Sequence, residues 1–262
     1  MILRVTVYLI MAFLLVPLAL IVLFSFNESP SFTFPITGYS IRWYAQIFSD
    51  PQLASALWKS FWIATLTAII TFILGAAASL AWLRLGRNGR TVLEVLCITP
   101  IALPGLFLGV SLLVLASQVG VQLSMITIVI SHVVLALPML MIAMRARLVL
   151  FDPNLEEASR DLGASQVLTF RRVTLPLIAP TLISCAVLSF ALSFDEFVVT
   201  AFVSGTETTL PMYIWSMMRR TVTPLINAIS TLAMVFTIAI ISIALAIAAM
   251  KRATNLSSRN AA

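Results

Sequence analysis

The stretch Gln122-Leu123-Ser124-Met125-Ile126-Thr127-Ile128-Val129-Ile130-Ser131-His132-Val133-Val134-Leu135-Ala136-Leu137-Pro138-Met139-Leu140-Met141-Ile142-Ala143-Met144 holds no Asp, Glu, Lys or Arg, and Arg145 follows at once. As a helix it would extend roughly 33 Å, enough to cross a hydrocarbon core of about 30 Å. Comparable stretches lie near residues 5–26, 60–83, 92–117, 177–200 and 225–250. With 61% hydrophobic residues, 10% charged residues and a mean hydropathy of +1.07, the chain has far more apolar surface than a water-soluble domain can hide. The bilayer is its solvent. Helices are the expected spanning elements, because every backbone N–H and C=O must be paired within the segment. The alternating strands of a barrel do not occur. The expectation is an all-α membrane protein of six transmembrane helices forming a single domain over 1–262.

Basic residues orient the spans. With the N-terminus inside, the inner segments hold most of the 16 basic residues: Arg4; Arg84, Arg87 and Arg90; Arg145, Arg147, Arg160, Arg171 and Arg172; Lys251, Arg252 and Arg259. Only Arg42, Lys59, Arg219 and Arg220 remain outside. Both termini are therefore expected in the cytoplasm, and the charge of +6 reads as a topology signal rather than as a nucleic-acid surface. Trp43, Tyr44, Trp58, Trp62, Tyr213 and Trp215 suit the outer interface, and Trp82 the inner one. The first stretch lacks a small-residue cleavage site and reads as a retained helix. Between Asn27 and Leu57, Pro30, Pro35, Gly38 and Pro51 are expected to break the chain. One piece, Ser40 to Phe48, puts Trp43, Tyr44, Ile47 and Phe48 on one face suited to lying on the membrane.

The long inner loop, 149–176, is the most informative. From Phe151 to Gly163 it reads Phe-Asp-Pro-Asn-Leu-Glu-Glu-Ala-Ser-Arg-Asp-Leu-Gly. Asp152 can cap a helix, Pro153 suits its first turn, Glu156 and Glu157 favour its positive end, and Gly163 supplies a left-handed stop. Leu155, Ala158, Ser159 and Leu162 share one small, weakly apolar face, while Glu156 and Arg160 are spaced to pair at i, i+4. Such a knob fits a groove on a partner. Packing on the chain's own helix ends is the plain alternative.

Glu157-Ala158-Ser159, three residues, Gly163, nine residues, then Val173-Thr174-Leu175-Pro176 resembles the E-A-A, three residues, G, nine residues, I-x-L-P loop of binding-protein-dependent ABC importer permeases. Ser159 replaces the second alanine and Val173 the isoleucine. The resemblance implies the type I ABC importer permease fold, with the loop as a coupling helix docked on an ATPase; Glu157, Ala158, Ser159, Gly163, Leu175 and Pro176 fall on the motif. Within the family, Ile41-Arg42-Trp43-Tyr44, Ser193-Phe194-Asp195-Glu196-Phe197-Val198-Val199-Thr200 and Leu210-Pro211-Met212-Tyr213-Ile214-Trp215-Ser216-Met217 resemble the spermidine/putrescine type. That subgroup implies polyamines as solute, with ferric iron, phosphonate or opine-like compounds as alternatives. The implied partners are a second homologous permease of a different chain, two ATPase subunits binding ATP and Mg, a periplasmic or lipid-anchored solute-binding protein, and membrane lipid. The implied location is the bacterial cytoplasmic (inner) membrane.

The chain itself lacks G-x-x-x-x-G-K-[ST], since Lys59 follows Trp58 and Lys251 follows Met250, so it is not expected to be an ATPase or to carry a cofactor. His132 is the only histidine, with neither further metal ligands nor a triad beside it, and reads as a satisfied interior residue. Cys97 and Cys185 read as small buried residues. Asp195 and Glu196 close the fifth stretch near the outer interface. They are candidates for the substrate pathway, where a carboxylate would attract a cation, or for an interfacial or capping role. Arg219 and Arg220 are candidates for docking the binding protein. An ion-gradient carrier using Asp195 and Glu196 is the rival, but it has no need of the loop's spacing. Pro100, Pro104 and Pro138 mark places where spans three and four bend, and Gly75 to Ser79 a face for close helix contact.

Overall fold

The computed structural model describes residues 2–30, 35–220 and 223–260, with side chains described throughout except at positions 2, 244, 245 and 247–260. Lys251, Arg252 and Arg259, expected at the inner end, therefore have side chains outside the described set. Helices are α1 (Ile2–Ser25), α2 (Arg42–Phe48), α3 (Pro51–Arg84), α4 (Arg87–Ile98), α5 (Gly105–Gln118), α6 (Met125–Leu148), α7 (Asn154–Asp161), α8 (Gln166–Thr169), α9 (Leu175–Asp195), α10 (Thr200–Val203), α11 (Leu210–Arg220) and α12 (Pro224–Asn260). Among the described residues there is no β-strand, only an isolated bridge between Asn27 and Tyr39. Among the described residues, five helices are long and apolar enough to cross a membrane, and a sixth span is made if the bent pair α4 and α5 counts as one.

One compact unit comprises Met1–Lys59 and Thr208–Ala239. α1 presents its apolar side chains outward, as a lipid-facing helix does. Its end is tied to α2: Ser25 Oγ lies 2.7 Å from the Tyr44 hydroxyl, and the buried Trp43 indole donates to the Asn27 carbonyl at 2.7 Å. The expected membrane face of α2 is divided in consequence. Trp43 and Ile47 are buried in the unit, while Phe48 is 84% exposed. Pro51 starts α3 instead of breaking the chain. Proline lacks an N–H that a first helical turn leaves unpaired anyway, and Asp50 Oδ1 accepts the next two, from Gln52 at 2.9 Å and Leu53 at 3.2 Å.

The other unit comprises Ser60–Glu207 and Ile240–Ala262. Among its described residues, apolar side chains gather in two clusters. Trp82, Leu140, Met144, Ile178 and Leu182 pack at the end of α3 that carries Arg84, and Ile63, Leu108, Ile128, Val133 and Val199 pack at the other. The small-residue face on α3 serves close contact as expected: a Cβ at Gly75 would lie 2.5 Å from the Leu140 methyls. The third stretch is not one straight span. α4 passes into a short 3₁₀ turn, Thr99–Ala102, and α5 leaves at 108°. Pro100 and Pro104 cannot donate to the preceding turns, and Leu103 and Pro104 are extended, so the helix turns there. α6 continues through Pro138. The fifth stretch ends early: α9 stops at Asp195, with Glu196 extended before α10.

Candidate functional site

Beyond α6, the 149–176 loop folds as its residues dictate. Asp152 Oδ1 accepts the Asn154 N–H at 3.0 Å, Pro153 precedes α7, and Glu156 and Glu157 lie in its first turn. Gly163 takes φ +84, the Gly163 N–H donates to the Arg160 carbonyl at 2.8 Å and the Ala164 N–H to that of Ser159 at 3.1 Å. This paired closure is the Schellman stop, which needs a residue free to adopt left-handed backbone. Ser165 Oγ then accepts the Leu168 N–H at 3.3 Å and opens α8.

The face expected to meet a partner is open. Leu162 is 90% exposed, Leu155 and Ala158 are exposed, and together with Ser159 and Gly163 these three border a depression of about 530 Å³; Glu157 is exposed too but does not line it. Ser159 is half-buried, its hydroxyl 3.1 Å from that of Thr169.

The expected Glu156–Arg160 side-chain pair does not form. Arg160 Nε donates to the backbone carbonyl of Glu156 at 3.3 Å. The Glu156 carboxylate instead turns inward to 8% exposure, where Thr174 Oγ1 donates to it and Arg84 approaches within 3.8 Å. A buried carboxylate needs such partners, and the helix face carrying residue 156 points at the protein. Sequence spacing identified the i, i+4 pair but not which side of α7 faces inward.

Leu175 and Pro176 stand apart from the knob, at the root of α9. They are reached through a π-turn, Phe170–Thr174, in which the Leu175 N–H bonds to the Phe170 carbonyl. Pro176 has no N–H to offer, so the regular ladder is interrupted there and the wider turn accommodates the break. Arg147, at the end of α6, fixes the same region by donating to the Leu177 carbonyl through Nε at 3.1 Å and a terminal nitrogen at 3.0 Å. Nearby, Glu94 accepts the Trp82 indole N–H at 2.8 Å and pairs with Arg145 at 3.3 Å, while Arg90 stacks 4.2 Å from the Trp82 ring centroid. None of these braces has a motif that reveals it in sequence.

At the opposite end of α9 the two candidate carboxylates have different surroundings. Glu196 Oε1 accepts the Val199 N–H at 2.8 Å and so caps the turn that leads into α10, whereas Asp195 is exposed. His132, 2% exposed, has Nδ1 2.7 Å from Ser193 Oγ and Nε2 2.8 Å from Thr200 Oγ1. Ser193 continues to Thr67 at 3.3 Å, and Thr200 donates to the Glu196 carbonyl at 2.9 Å. The histidine is thus a satisfied interior residue that braces the break after α9. In the other unit, Arg219 and Arg220 are exposed at the end of α11, with Arg219 5.4 Å from the Trp215 ring centroid.

Comparison with known proteins places this geometry among its relatives. A family described as binding-protein-dependent transport system inner membrane component matches residues 72–259. The chain is 37% identical over 228 residues to the putrescine transport system permease protein PotI of Escherichia coli K12, covering 84% of this chain and 81% of that one. It is 33% identical over 235 residues to the spermidine/putrescine transport system permease protein PotC of Haemophilus influenzae, covering 89% and 91%. Among solved structures, a bacterial ABC transporter that imports the acidic polysaccharide alginate superposes with a TM-score of 0.71 at 14% identity, over 92% of this chain and 93% of that one. The inward-facing MetNI methionine ABC transporter gives 0.64 at 17%, over 77% and 98%. At those identities the two structures speak for the fold alone.

Proposed function

The chain belongs to the binding-protein-dependent transport system inner membrane components, and from that premise we propose that it is the permease subunit of an ATP-driven importer of polyamines. It is a multi-pass protein of the inner membrane. The observation that carries the reading is the exposed, capped and sharply stopped α7, in a chain similar to PotI and PotC over most of its length.

In this reading both termini and α7 are cytoplasmic. Ala158, Ser159, Leu162 and Gly163 form the surface that meets a separate ATPase, with Glu157 beside them, while Leu175 and Pro176 fix where α9 begins. ATP and Mg are bound by two ATPase subunits. A second, homologous permease of a different chain completes the path, and a periplasmic or lipid-anchored binding protein delivers the solute. Asp195, exposed at the far end of α9, is the carboxylate that attracts the cationic solute; Glu196 is committed to the backbone. Arg219 and Arg220 are offered for contact with the binding protein.

The test is uptake of labelled putrescine and spermidine into proteoliposomes holding the whole complex, with ATP enclosed and binding protein outside. The expected result is uptake that requires ATP, survives collapse of ion gradients and resists competition by ferric iron or phosphonate. Uptake that follows an ion gradient without ATP would overturn the importer, and ATP-dependent uptake of another solute alone would overturn the polyamine.

A further inference from the structure

Glu156 takes no part in the exposed face of α7, yet its carboxylate is where three elements meet. It sits in the first turn of α7, accepts a hydrogen bond from the Thr174 hydroxyl in the π-turn that feeds α9, and lies 3.8 Å from Arg84, the last residue of α3. Thr174 is fully buried. Resting on the reading of α7 as the coupling helix, we propose that Glu156 is a positioning residue that passes displacement of α7 to α3 and α9, separately from the surface that binds the ATPase.

The physical argument is the cost of leaving a carboxylate buried without partners. If a bound ATPase pulls or tilts α7, the buried Glu156 carboxylate and the buried Thr174 hydroxyl cannot part without that cost, and the carboxylate draws the partly exposed Arg84 with it, so the ends of α9 and α3 follow. The start of α9 is suited to being moved as a rigid piece. Pro176 restricts its first turn, and Arg147 ties it to α6 through the Leu177 carbonyl. The hydroxyl contact between Ser159 and Thr169 links α7 to α8 and is neutral, so it resists displacement less than the charged contact does.

The experiment uses the whole complex in proteoliposomes and two readouts: retention of the ATPase subunit on affinity purification, and the factor by which putrescine-loaded binding protein stimulates ATP hydrolysis. Glu156→Ala is expected to retain the ATPase subunit as wild type does while stimulation falls about tenfold, the scale of a lost coupling contact. Glu156→Gln keeps an oxygen for Thr174 and is expected to fall less. Thr174→Val, nearly isosteric, gives the same direction if Glu156→Ala does not assemble. Wild-type stimulation in Glu156→Ala, or in Thr174→Val where the alanine variant is lost, overturns the proposal. Where the Glu156→Ala chain is present in the membrane at the wild-type level, loss of the ATPase subunit together with stimulation also overturns it, by making Glu156 part of docking. A wild-type complex that retains no ATPase subunit is a different failure, that of the coupling reading of α7 itself.

Discussion

Tyr213 donates its phenol to Asp50 Oδ2 at 2.5 Å while the other oxygen of the same carboxylate caps the first turn of α3. The Tyr213 bond is the main influence holding Asp50 below its ordinary 3.8; burial opposes it, and the Leu53 and Gln52 N–H groups reinforce it. Tyr213 is pushed up to about 12 by burial, then by the bond to Asp50 and its charge, against a smaller effect of Arg220. A lowered carboxylate stabilises above 3.8, and its contribution disappears as pH falls through the lowered folded value. A raised phenol stabilises below 10.0, and its contribution disappears as pH rises towards 12. The melting-temperature gap between wild type and Tyr213→Phe is therefore expected to be constant at neutral pH and to narrow as pH falls below about 3.8 towards the lowered folded value. A gap unchanged down to pH 3 would contradict the assignment.

Leu162 is an apolar side chain left 90% exposed at the end of α7, on the surface proposed to couple to the ATPase. Leu162→Asp is expected to change stability by no more than about 0.5 kcal/mol, as an exposed site does. Its affinity for the ATPase subunit is expected to fall about tenfold or more, since an apolar anchor is replaced by a charge that must be desolvated. Titration of the purified ATPase onto the variant in nanodiscs measures it. Equal affinity would show that the knob's apolar tip is not in the interface.

Gly163 and Gly205 both adopt positive φ, at +84 and +60, but their surroundings differ. A Cβ at Gly163 meets nothing within 4 Å, whereas at Gly205 it would lie 2.6 Å from the Leu123 carbonyl oxygen. Gly163→Ala should cost only the left-handed backbone, about 1 to 2 kcal/mol, and Gly163→Asn less. Gly205→Ala adds a backbone collision and should be clearly worse. Thermal unfolding in detergent ranks the three, and equal losses at the two glycines would count against the local geometry.

Asp195 is proposed for the solute path, whereas its neighbour Glu196 caps the turn before α10. Asp195→Asn is expected to lower polyamine uptake with little change in melting temperature. Glu196→Ala removes the cap on the Val199 N–H and is expected to cost about 1 kcal/mol of stability. If Asp195→Asn transports like wild type, its place in the solute path is withdrawn.

Much of this was legible in the sequence because the bilayer allows few solutions. Charge-free stretches announce spans, and Asp152, Pro153 and Gly163 delimit α7 by local chemistry alone. The rest depends on packing that no local pattern encodes. Pro100 and Pro104 mark a bend, but its 108° depends on what α4 and α5 pack against. Pro51 reads as a breaker until Asp50 is seen capping behind it. Glu156 and Arg160 have the right spacing for a pair, yet burial of that face gives the carboxylate to Thr174 and Arg84. Glu196 reads in sequence equally as a pathway or a capping residue, and only the break after α9 supplies the Val199 N–H that it accepts.

The most direct test of the account is affinity purification of the tagged chain from its native membrane in mild detergent, wild type beside Gly163→Asp. The substitution puts a side chain in a left-handed position and a negative charge at the negative end of α7, on the surface proposed to meet the ATPase. Recovery of an ATPase subunit with the wild type and its loss with the variant is the predicted result. A wild-type chain that purifies without any ATPase and still transports would contradict the account and leave an ion-gradient carrier in its place.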